Sequence, residues 1–77
     1  MPTTVHELLV KAGEAMFGQS WQSDLGRALK VDRRTISRWS LAKQTPRPGV
    51  MIEARELVRN RMAQLAAIDQ AITEWLK

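Results

Sequence analysis

The hydrophobic positions fall into stretches with helical spacing, and none shows the two-residue alternation of a half-buried strand. In the first stretch Val5, Leu8, Leu9, Ala12 and Met16 recur at helical spacing. Thr4 and Glu7 stand three apart at its start, the spacing of a capping box, and Gly18 follows as a stop, which predicts a helix over residues 5–17. Ser20 is the next N-cap candidate, and Trp21, Leu25, Ala28 and Leu29 share a face of a short second helix. Lys30-Val31-Asp32 reads as a tight turn. Asp32 is suited to accept the amide hydrogen of Thr35, so a third helix is expected from Arg33, with Ile36, Trp39 and Ser40 on its inner side.

Thr45-Pro46-Arg47-Pro48-Gly49 breaks the chain, because two prolines cannot sit inside a helix. A long helical pattern then runs over residues 50–76, with a stripe of Ala54, Val58, Leu65, Ile68, Ile72 and Trp75 interrupted at Arg61. At ~1.5 Å per residue this helix spans roughly 40 Å, more than the small unit before it, so its far end needs a cover of its own. There is no internal repeat and no low-complexity segment. The predicted architecture is all-α: a three-helix head over residues 1–49 and a long C-terminal helix over residues 50–77.

Charge changes the picture because of where it lies. Residues 1–20 carry a net −1 and residues 50–77 balance, whereas residues 21–49 hold seven basic side chains against two acids, a net +5. Such a block points to a polyanionic partner, with a solvated charged face as the competing explanation. The chain has no cysteine, which rules out a disulfide framework or thiolate zinc site within it. No apolar run approaches the ~20 residues of a membrane span. Met1-Pro2-Thr3-Thr4 has no basic start leading into an apolar stretch, the mark of a secretory leader. A cytoplasmic protein is expected.

The most informative unit is residues 22–39. Two helices held at a steep angle by a short turn need apolar residues at fixed places. Leu25 and Leu29 anchor the first, Val31 plugs the turn, Ile36 and Trp39 anchor the second, and Gly26 supplies a small residue at closest approach. These residues, with the run Thr35-Ile36-Ser37-Arg38-Trp39 followed by Lys43 and Pro46, resemble the helix-turn-helix of the Xre, Cro and lambda-repressor superfamily of phage and bacterial regulators. The resemblance covers about residues 20–49. It departs from the family's usual pattern at Lys30, where the family often has Gly, and at Ser40 and Ala42, where Glu and Gly are common.

With Ile36 inward, Arg34, Ser37 and Arg38 point outward and Arg33 stands at the N-terminal edge. Such a helix fits the DNA major groove, where Arg pairs bidentately with guanine, so Arg33, Arg34, Ser37 and Arg38 are the expected base readers. The resemblance implies that Gln22 binds the DNA backbone, and Thr35 is assigned there with it. Lys43 and Arg47, in the loop beyond, suit phosphate contact. Bland alternatives stand beside these: Arg33 and Arg38 as solubilising charge, Asp32 as a cap rather than a reader of cytosine, Leu41 as a packing residue rather than a contact for a thymine methyl.

His6 is the only histidine, expected as an exposed first-turn residue, and it lacks the second histidine of a zinc-protease motif. No nucleophile–base pair, metal-ligand set or Gly-rich phosphate loop is present, so neither enzymatic activity, cofactor, metal nor small-molecule ligand is expected. The leading expectation is a regulator of transcription, a repressor in the first instance, acting at the nucleoid on double-stranded DNA as a homodimer. Leu65, Ile68, Ile72 and Trp75 form the expected dimer surface, against packing within the monomer. The alternatives are an antitoxin or adaptor whose terminal helix holds another protein, and, last, a binder of structured RNA, whose deep, narrow groove suits such a helix poorly.

Overall fold

The computed structural model describes residues 4–77; residues 1–3, the start of the expected head and of the stretch read for a leader, lie outside them. The fold is all-α: α1 (Val5–Phe17), one turn of 3-10 helix (Gly18–Ser20), α2 (Trp21–Leu29), α3 (Arg33–Ser40) and α4 (Pro48–Leu76). Among the described residues there is no strand, and no helix is long and apolar enough to cross a membrane.

Local chemistry explains most of the boundaries. Thr4 Oγ1 accepts from the Glu7 amide at 3.2 Å, and Gly18, at φ 75°, ends α1 in a conformation that favours glycine. Ser20 does not cap α2 as expected: it closes the 3-10 turn at φ −90°, ψ 23°, and its side chain makes no capping bond. Asp32 does cap α3, but its carboxylate accepts from Arg34 at 3.2 Å rather than from Thr35, whose amide bonds the Asp32 carbonyl at 3.0 Å. α4 starts at Pro48, two residues before the expected position 50, because proline's fixed φ and missing N–H suit the first turn of a helix.

α2 and α3 end in the same way. Lys30 and Ala42 both lie in the left-handed region at φ 59°. In each case the next amide reaches back into the last turn, Val31 to the Gly26 carbonyl and Lys43 to the Arg38 carbonyl, both at 2.9 Å. This is the Schellman closure, which most often places glycine at the left-handed residue. The two sites are among those where the sequence departs from the family pattern.

Leu9, Leu25 and Ile36 are fully buried at the centre, one from each helix of the head, with Met16, Trp21, Leu29, Trp39 and Ala54 around them. Ala28, expected inward, is exposed: the buried arc of α2 runs from Trp21 through Leu25 and Leu29 to Gly26, and Ala28 falls off its other edge. Two close approaches demand glycine. A Cβ on Gly26 would lie 2.9 Å from the Val31 carbonyl, and one on Gly13 would overlap the Trp21 ring, with Cδ2 at 2.8 Å.

α4 completes the head and then leaves it. Val50, Met51, Leu57 and Val58 pack against the core around Ala54, so the core draws on α4 well past residue 49. Arg61 marks the last contact: its Nη1 donates to the Met16 carbonyl at 2.8 Å and its guanidinium lies 5.4 Å from the Phe17 ring centroid. The break in the apolar stripe is thus a clamp on the end of α1, where carbonyls lack helical partners. Beyond it every residue is exposed, and the molecule is 51 Å long against 29 and 22 Å across. Packing of Leu65, Ile68, Ile72 and Trp75 within the monomer, the competing expectation, does not occur.

Candidate nucleic-acid interface

α3 is anchored from behind. Ile36 and Trp39 are buried, and Ser40 Oγ donates to the Ser37 carbonyl at 2.8 Å. His6 is half-buried rather than exposed, because its Nδ1 donates to the Trp39 carbonyl at 2.7 Å and ties α1 to the end of α3. Among the described residues the buried Trp39 Nε1 finds no partner, so this side chain contributes volume rather than a hydrogen bond.

The outer face of α3 carries the positive charge. Arg33, Arg34 and Arg38 are exposed. The ion pairs among the described residues are Arg27–Asp24 at 2.8 Å and Lys77–Glu74 at 3.3 Å, and neither involves α3. Arg34 and Arg38 stand one turn apart on a common face, with Ser37 beside them. Gln22, Asp32, Arg33, Arg34 and Ser37 line one open groove where the start of α2 meets the start of α3. A second polar groove shares Gln22 and Arg33 with it and continues over Gln19, Ser20 and Ser23. Together the two present guanidinium groups with a planar fork, two carboxamides and hydroxyls beside the Asp32 carboxylate.

The remaining predicted residues lie around this surface. Thr35 is half-buried on α3. Lys43 is exposed just past the Schellman closure, which fixes its backbone through the bond to Arg38. Arg47 is exposed at the residue before α4, where its side chain makes no capping bond. Neither Lys43, Arg47 nor Arg38 lines the groove at Gln22. Leu41, left open between packing and contact, is 61% exposed at the end of α3. Asp32 spends its carboxylate on the Arg34 amide, as a cap does. Gln19, Ser20 and Ser23, which the sequence reading did not place at the interface, line the second groove as a cluster of uncharged hydrogen-bonding residues on either side of Trp21.

Among the described residues no group of three His, Cys, Asp or Glu is placed to hold a metal ion. No protein-family model matches the chain, and no curated protein or solved structure matches it significantly.

Proposed function

We propose that the chain is a sequence-specific regulator that binds double-stranded DNA by laying α3 in the major groove. It acts in the bacterial cytoplasm as a homodimer, and in the simplest case represses by occupying its site. The observation that carries this reading is the outer face of α3: Arg33, Arg34 and Arg38 exposed and free of carboxylate partners among the described residues, on a helix clamped from behind by Ile36 and Trp39. An eight-residue helix so held fits the major groove, and its arginines match the acceptor pair of guanine. Arg34, Ser37 and Arg38 read bases with Arg33 at the edge, while Gln22, Thr35, Lys43 and Arg47 hold phosphates. The resemblance to the Xre, Cro and lambda-repressor helix-turn-helix points the same way.

The test is binding to a selected DNA site across a salt series. With about five phosphates neutralised, log affinity falls against log salt with a slope near −4 to −5. Arg34→Ala and Arg38→Ala each cost about 1–3 kcal/mol at the preferred site and relax its sequence, whereas Lys43→Ala weakens all sequences alike. Absence of DNA binding at low salt, or a flat salt response, overturns the reading.

A second reading has one observation in its favour. The exposed apolar half of α4 suits an antitoxin or adaptor that holds another protein there, with DNA binding secondary. A purified chain that is a discrete dimer on one DNA sequence speaks against it.

A further inference from the structure

α4 carries one continuous seam. Met51, Ala54, Val58 and Arg61 lie at alternating three- and four-residue steps and face the head; Leu65, Ile68, Ile72 and Trp75 extend the same series into solvent. Where the seam leaves the head there is an open apolar groove between α1 and α4, walled by Leu8, Met16, Val58, Met62 and Leu65, with Lys11 and Arg61 also at its lining. Leu8, 48% exposed, and Met62, 63% exposed, make the groove and the free seam one surface.

We propose that a second copy of the chain covers this surface with its own α4 running antiparallel. This rests on the reading that the chain is a homodimer and assigns how the two copies meet. Layering the seam against itself in the antiparallel sense brings Leu65 opposite Trp75 of the second copy and Ile68 opposite its Ile72, with the two-fold axis level with Gln70. The tip of the second α4, Trp75 and Leu76, then closes over the groove, and Leu76 meets Met62. Symmetry repeats every contact at the other end.

Two observations favour this occupant and this direction. First, the free seam holds only two heptads, short of the three to four that sustain a coiled coil by themselves. A parallel pair would rely on those four layers and leave both grooves uncovered. The antiparallel pair adds the two grooves. Its two Trp75 side chains, each 83% exposed in the monomer, alone cover about 300–500 Å² of the roughly 1,200–2,000 Å² of a stable interface. Second, Asp69 and Glu74 are the only charged residues between positions 62 and 76, so the face offers little for a partner selected by charge and little that repels a copy of itself. Two contacts oppose the arrangement: Asp69 meets its own copy beside the axis, and Lys77 of the second copy comes toward Arg61 and Lys11.

The chain has no cysteine, so cysteine variants report the direction cleanly. Oxidation is expected to link Asp69→Cys to itself across the axis, and to link Met62→Cys to Leu76→Cys only when the two variants are mixed. Ile68→Cys, which faces itself only in a parallel pair, stays unlinked. Leu8→Asp, exposed in the monomer, weakens the dimer by about tenfold or more by sedimentation, with the helical circular dichroism unchanged. Asp69→Asn tightens the dimer. A dimer in which Ile68→Cys links and the mixed pair does not is parallel, and overturns the proposal while the homodimer stands. A dimer in which none of these variants links, or which Leu8→Asp leaves intact, moves the interface off this surface and overturns it as well. A wild-type chain that stays monomeric, free and on DNA, removes the homodimer itself; the salt series still decides DNA binding.

Discussion

The two halves of α4 share a seam and differ in what covers it. Over residues 48–61 the seam is closed by α1 and α2: Ala54 is 3% exposed, and Met51 and Val58 pack against the core. Over residues 62–76 the same face is bare, and Leu65, Ile68 and Ile72 are each more than half exposed. The residues filling the seam are no more apolar in the first half than in the second, so the sequence pattern alone does not say which half is buried at home. The difference is one of reach. α1 ends at Phe17, and its terminal carbonyl at Met16 is held by Arg61, so α4 outruns the helix that covers it. A helix longer than its support exposes its apolar face, and this bare face is the surface proposed above to meet a second copy.

The largest expected effect sets the two halves apart directly. Leu9→Ala, in the fully buried centre of the head, is expected to cost about 2–5 kcal/mol, while Ile72→Ala changes the stability of the dilute monomer by less than about 0.5 kcal/mol. Denaturant unfolding below the concentration of association measures both; a cost for Ile72→Ala comparable to that for Leu9→Ala would mean the free half is covered within one chain. Next comes Gly13→Ala, which forces a methyl into the Trp21 ring. It is expected to destabilise by about 1–3 kcal/mol although alanine is the better helix former, and a gain in melting temperature would show that Trp21 does not rest on α1 there. The smallest effect has the opposite sign. Ala42→Gly relieves a left-handed residue and stabilises the head by up to about 1 kcal/mol, without altering the association of the free half. Calorimetry of the variant sharpens the comparison by confining the gain to the head.

The helices of the head were legible because their ends carry side-chain chemistry. Thr4 and Asp32 cap α1 and α3, Gly18 stops α1, and the apolar spacing between them has a single period. The exposure of Arg33, Arg34 and Arg38 followed from placing Ile36 inward, since the helical period leaves no freedom once one residue is fixed, whereas Ser37, expected outward with them, is half-buried. The contacts that escaped are those between elements distant in sequence. Gly13 has no side chain to betray that Trp21 lies on it, His6 gives no local sign of the Trp39 carbonyl, and Arg61 reads as a break in a stripe until the end of α1 is beside it. Ala28 shows the reverse error: a permitted spacing placed it on a face whose width only the packing of three helices decides.

Because α4 is a single uninterrupted helix from the core to its tip, phase and length along it cannot vary independently. One residue added between Arg61 and Leu65 would swing everything beyond by about 100° and advance it by about 1.5 Å, turning the apolar face away from the line it shares with the head. Seven residues would nearly restore the phase while lengthening the rod by about 10 Å. The rod is therefore a ruler with coarse divisions: its length can change with the apolar face kept nearly in line only by insertions close to a whole number of turns, such as about seven or eleven residues.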